Sequence, residues 1–231
     1  MLTTAARRDA ALLTVAAVLA VAFFLVPALL GPDRLDDFPR AFVAYWSSGG
    51  PHFTPDLQPL VDHQFRYHLV RVLIALPLLA VLLTLTVRLP RFRLPIGTLT
   101  LATAVLLIAN VQGFVSPFGT LLPILASSTA KPTMASVLTQ VRDQIANGPA
   151  SPALTVMLDE YVRWHVVKGA LAGLLTAVLI AVSVAAWRRR RRWYSVLTAV
   201  SAVAALIVVA ANVATVANPH PGFLLLLHGS W

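Results

Sequence analysis

The sequence predicts an all-α integral membrane protein: a helical bundle of about five transmembrane helices, built as a tandem two-span repeat with outer amphipathic helices. Three observations predict it. The composition is too apolar for a water-exposed globule, five apolar stretches reach span length, and one segment recurs 97 positions after its first occurrence. Of 231 residues, 58% are hydrophobic and 12% charged, with a mean hydropathy of +0.79. A soluble domain carries roughly 25% charged residues because it needs a wetted surface. There is too little polar surface here to cover such a globule, so lipid must replace water as the solvent. Cysteine is absent, which excludes disulfides and thiolate metal sites.

A helix needs about 20 apolar residues to cross a hydrocarbon core about 30 Å thick. Five segments qualify: Ala10–Leu30, His68–Val87, Ile96–Val115, Trp164–Trp187 and Tyr194–Ala217. The first follows Arg7-Arg8 and superficially resembles a cleaved signal. Its apolar run of about 21 residues exceeds the roughly 7–15 of a signal h-region, and no A-x-A site follows, so it reads as a span.

Charge sets the expected orientation. With the N-terminus inside, ten arginines (Arg7, Arg8, Arg88, Arg91, Arg93, Arg188, Arg189, Arg190, Arg191 and Arg192) and one acid, Asp9, face the cytoplasm. The other side holds eight basic and eight acidic residues, so the whole formal charge of +9 falls on one face, as the positive-inside rule requires. The expected setting is a bacterial cytoplasmic membrane with the C-terminus outside. The run Arg188–Arg192 has the composition of a nucleic-acid patch. Its place between two spans makes it a topology anchor and a contact for anionic headgroups, with no nucleic-acid partner expected.

The repeat runs from Thr54-Pro55 through Asp62, Arg66 and Tyr67-His68-Leu69-Val70-Arg71. Its second copy runs from Ser151-Pro152 through Asp159, Arg163 and Trp164-His165-Val166-Val167-Lys168. A weaker correspondence relates Asn110 and Pro117 to Asn212 and Pro219, at equal spacing. The expected organisation is residues 1–93 as unit one, 94–192 as unit two, and 193–231 as a fifth span with a short outer tail. Phe38, Phe42 and Trp46, and again Val137, Val141 and Ile145, recur at helical spacing in the outer segments. Thr54 and Ser151 are suited to N-caps, each followed by proline at the first helical position. Asp62 with Arg66 and Asp159 with Arg163 are spaced for i,i+4 pairs.

Polar groups at membrane depth are costly and point to function. The candidate site is a polar pocket in the outer leaflet lined by His68, Arg71, Asn110, His165, Lys168 and Asn212. The two imidazoles suit a haem or metal ion, although no metal motif is present and no cofactor is predicted. Arg71 and Lys168 suit an anionic lipid, a quinone or a carboxylated metabolite. The plainer alternative is that both cations snorkel to the interface, with the histidines as anchors and the asparagines as interhelical glue. No catalytic residue can be named.

The openings Tyr67-His68-Leu69-Val70-Arg71 and Trp164-His165-Val166-Val167-Lys168, with Val26-Pro27-Ala28-Leu29, resemble small membrane proteins grouped with anthrone oxygenases. The overall style resembles uncharacterised multi-pass proteins of actinobacteria. The first resemblance implies an oxygenase-like enzyme using His68 and His165. The residues themselves favour a non-catalytic partner subunit, or a lipid or small-molecule binder acting through its outer face. A small transporter is a third expectation, because internal repeats recur in transporter folds. Expected partners are the bilayer, anionic lipids, and a membrane protein or further copies of the chain.

Overall fold

The computed structural model describes residues 4–31, 34–128 and 132–229. Asp33 and Lys131, both in the charge tally, lie outside the described residues. Among those residues the only regular secondary structure is helix, with no strand. The nine α-helices are α1 (Thr4–Leu25), α2 (Phe38–Ser48), α3 (Gln58–Arg88), α4 (Arg93–Val115), α5 (Leu122–Ser127), α6 (Pro132–Asn147), α7 (Pro152–Arg188), α8 (Arg192–Ala217) and α9 (Pro219–His228).

Five stretches are long and apolar enough to cross a membrane: Thr4–Leu30, Gln58–Arg88, Pro90–Val115, Pro152–Arg188 and Arg192–Ala217. Only 11% to 22% of the residues in their apolar windows are buried within the protein, so the remaining surface needs a lipid solvent. With 31 and 37 residues, α3 and α7 reach about 46 and 55 Å at 1.5 Å per residue, well beyond a hydrocarbon core of about 30 Å. The helix α3 continues through Pro77.

The chain forms two compact units, each assembled from three separate stretches. The first comprises Met1–Gly31, Tyr67–Val111 and Leu171–Leu206. Its small buried cluster joins Ala16 to Leu78, Leu82, Leu85 and Ile96. Asp9 bridges Arg88 at 2.6 Å. Ser183 and Ser195 exchange bonds from each hydroxyl to the other's carbonyl, both at 2.9 Å, which ties α7 to α8 beside the arginine turn.

The second unit comprises Pro32–Arg66, Gln112–Ala170 and Ile207–Trp231. Its core is far denser. Phe38, Phe42 and Tyr45 of α2 pack with Phe118, Leu121 and Leu122, with Leu138 and Val141 of α6, and with Phe223 of α9. Phe118 lies edge-on to Tyr45 at 5.8 Å and 4.8 Å from Phe53. The polar ends of the aromatics find partners: Trp46 Nε1 donates to Gln140 Oε1 at 3.0 Å, and the Tyr45 hydroxyl to Ala153 O at 3.4 Å. Burial pushes the Tyr45 hydroxyl up to about 12, so the ring stays neutral. Arg142 Nη2 donates to Leu227 O at 2.6 Å, setting a guanidinium on the last turn of α9, where unpaired carbonyls favour a cation.

Two local expectations are corrected. Ser151 caps α7, accepting from Leu154 N–H at 3.2 Å, but Thr54 does not cap α3. The helix α3 starts at Gln58, after a turn in which Leu57 and Gln58 N–H both bond Thr54 O, so the main chain satisfies what the side chain was expected to. The Thr54 hydroxyl is buried with no partner among the described residues. Likewise Arg163 pairs with Glu160 at 2.8 Å and not with Asp159, and Arg66 Nε donates to Asp62 O. Asp62 Oδ1 is already taken by Gln58 Nε2 at 2.8 Å.

Candidate functional site

Helix α3 carries His68 and Arg71, and α4 carries Asn110. Helix α7 carries His165 and Lys168, and α8 carries Asn212. The structure assembles these six residues as two triads of like construction, the first set in the first unit and the second set in the second. His68 Nδ1 lies 3.0 Å from Asn110 Oδ1, and His165 Nδ1 lies 2.7 Å from Asn212 Oδ1. Each asparagine is buried and anchored to its own helix, with Nδ2 donating 2.7 Å to Leu106 O or to Val208 O.

That second bond decides the chemistry of the first. With the amide nitrogen committed to a carbonyl, its oxygen faces the ring and can only accept, so Nδ1 of each histidine carries a proton and donates. In the neutral ring, Nε2 then bears the lone pair. Such a held imidazole is the arrangement that orients metal-ligating histidines, and it serves equally as an interhelical tie. In the second triad, His165 Nε2 is buried without a partner among the described residues. His165 packs against Tyr161 at 4.5 Å and Trp164 at 5.1 Å, while His68 lies edge-on to Tyr67 at 5.3 Å. Gly169 lets α8 come close: a Cβ there would stand 3.3 Å from Asn212 Cβ.

The two cations are held by rings. The Arg71 guanidinium lies 4.9 Å from the Phe23 ring centroid and 4.4 Å from that of Tyr67; Lys168 Nζ lies 5.0 Å from the Trp164 centroid. Neither cation makes an ion pair among the described residues. Ring quadrupoles stabilise a desolvated cation by about 2 kcal/mol, which favours holding Arg71 and Lys168 against these rings. Among the described residues no group of three His, Asp or Glu side chains comes together to hold a metal. Arg188 to Arg192 form the turn between α7 and α8; none of the five is ion-paired among the described residues, and Arg190 adopts φ 58°.

Sequence reasoning missed a large concavity. A cleft of about 890 Å³ opens in the first unit between α3, α4, α7 and α8. One end is wholly apolar, bounded by Val72, Ile108, Val111 and Leu171. The other carries hydroxyls, from Thr86, Thr98, Thr198 and Tyr194. The available signal was the clustering of those hydroxyls, with Gly97, beside the arginine turns.

The fold and cleft define the class only as an all-helical chain with five helices able to cross a membrane. Comparison with protein-family models, curated proteins and solved structures gives no match for this chain.

Proposed function

We propose that this chain is a non-catalytic membrane-embedded binder of a small molecule with a long apolar chain, and that the cleft of the first unit is where it binds. The observation that carries this reading is the cleft itself: about 890 Å³, lined almost entirely by aliphatic side chains, with hydroxyls at one end. That volume falls within the range of about 300–1,000 Å³ usual for small-molecule sites. From Val72 to Thr86 the α3 wall runs about 21 Å at 1.5 Å per residue, enough for a chain that fills one leaflet of a hydrocarbon core about 30 Å thick. The test is native mass spectrometry from a mild detergent. Wild type should retain a co-purifying lipid-like adduct that Ala104→Trp, which fills the cleft, loses. An adduct-free wild type would sink the reading.

The same proposal places the protein in a bacterial cytoplasmic membrane, N-terminus inside, with the two triads as equivalent members of a tandem repeat. Arginine asymmetry and the matched His–Asn geometry support it. Because the chain has no cysteine, single-cysteine variants report topology directly. Thr139→Cys should react with an impermeant maleimide in intact cells, and Arg190→Cys only after permeabilisation; the reverse pattern would invert the orientation.

A second reading, an oxidoreductase or oxygenase-like centre at His68 and His165, is favoured by one observation. Each asparagine commits Nδ1 and leaves Nε2 to act as a ligand or base. It requires a haem, flavin or metal signature in purified protein that His68→Ala or His165→Ala abolishes.

A further inference from the structure

The cleft has a polarity that bears on what occupies it. Its aliphatic end offers no polar side chain, so only hydrocarbon is accommodated there. At the other end, the Tyr194 hydroxyl lines the cleft and has no hydrogen-bond partner among the described residues. Gly97 leaves it room, since even an added Cβ would stand 3.8 Å from the Tyr194 hydroxyl. Arg93 Nε donates to Thr86 O at 3.2 Å, and Thr86 lines the same end. One bond therefore ties the guanidinium to the main chain of a residue that lines the cleft, though Arg93 does not itself line it, and leaves its two terminal amino groups uncommitted among the described residues.

The charge of the first unit is almost all of one sign. The first unit contains eleven arginines and a single acid, Asp9, which is already bridged to Arg88 at 2.6 Å. No carboxylate of the unit remains to neutralise Arg93. A phosphodiester monoanion accepts from both an arginine fork and a phenol; a zwitterionic head carries the same phosphate but tethers to it a cation that the arginines repel, so a head with net negative charge is favoured.

We infer that the cleft takes an anionic phospholipid from the leaflet at the arginine turns, with its phosphate on Arg93 and Tyr194 and its acyl chain running between α3, α4, α7 and α8. This rests on the binding reading above and adds headgroup chemistry and direction. Arg71 and Lys168 have no part in it, being held by aromatic rings.

The full chain in mild detergent is titrated with phosphatidylglycerol, with phosphatidylcholine of the same acyl chains, and with glycerol phosphate, followed by native mass spectrometry. Phosphatidylglycerol should bind roughly tenfold more tightly than phosphatidylcholine, because both present a phosphate but only choline sets a cation against the arginines. Glycerol phosphate alone should not bind. Arg93→Gln should reduce the preference and Tyr194→Phe should weaken both lipids alike, while the double substitution removes the preference and phosphatidylcholine still binds. Arg7→Gln, on α1, which contributes no residue to the cleft lining, should keep the preference; its loss there would reassign it to diffuse surface charge and overturn the inference. Thermal unfolding of each variant, matched to wild type, separates lost recognition from lost folding, and Arg93→Lys should retain part of the preference. Equal affinity for both lipids, or a preference that survives the double substitution, overturns the headgroup assignment and leaves the cleft as a lipid site. Failure of wild type to bind either lipid, with no change in Ala104→Trp, overturns both readings.

Discussion

The two units solve the burial problem in opposite ways. In the second unit, Phe38, Phe42, Tyr45, Phe118 and Phe223 are each 0% exposed and interlock, so the core is closed against any solvent. In the first, the buried cluster amounts to a few aliphatic side chains around Leu85, while residues such as Val18, Val200 and Val203 are more than half exposed. The same physical force acts on both. In the second unit, burial of apolar area within the protein stabilises the fold at roughly 25 cal/mol per Å². In the first, lipid already satisfies the apolar surface, so helix association rests on close packing and hydroxyl bonds such as the Ser183–Ser195 exchange. A unit held that way tolerates an open cleft that a water-soluble core would not.

The largest expected effect lies at the centre of the second unit. Phe118→Ala should cost about 3–5 kcal/mol, the usual range for a fully buried aromatic, whereas Val203→Ala should cost under about 0.5 kcal/mol. Thermal unfolding in detergent checks the pair, and equal losses would erase the contrast. Charge inverts the comparison. Val203→Arg, at an exposed position of α8, should impair membrane insertion by about 2.5–3.5 kcal/mol. Thr139→Arg, exposed on α6, should leave it unchanged. Insertion efficiency into microsomes measures both, and a tolerated Val203→Arg would show that this face of α8 meets water.

The triads give a smaller test. Asn212→Leu leaves His165 Nδ1–H without its acceptor and should cost about 1–3 kcal/mol. His165→Leu/Asn212→Leu should recover most of that loss, and the parallel cycle at His68 and Asn110 should behave alike. Additive losses in unfolding experiments would show that the 2.7 Å bond contributes nothing. The smallest contrast is at the helix starts: Ser151→Ala should cost about 1 kcal/mol, and Thr54→Val close to none, because only Ser151 caps.

Each local signal was legible where a single helix carries its cause. Hydropathy over about 20 residues marks the five spans, and polar residues at His68, Asn110, His165 and Asn212 stand out against an apolar background. The partners of those residues were less legible. Arg163 has carboxylates at both Asp159 and Glu160, and i,i+4 spacing does not decide between them. Glu160 wins in a setting where it also accepts from Ser116 Oγ at 2.8 Å, a contact 44 residues away in the chain. Arg71 looked like an anion site because the Phe23 ring, on another helix, was not foreseeable as its neighbour.

Sequence alone determined that this chain is helical and apolar enough for five membrane crossings, because those properties accumulate residue by residue along one helix. It also marked out the His and Asn residues, since a polar group among aliphatic ones is visible without knowing its neighbours. Only the tertiary structure decided that each asparagine, anchored to its own helix, fixes the proton on a histidine of another. Only it revealed the cleft between α3, α4, α7 and α8. Hydrogen-bond geometry and empty volume belong to pairs and groups of helices, and no one-dimensional pattern of residues encodes the space left between them.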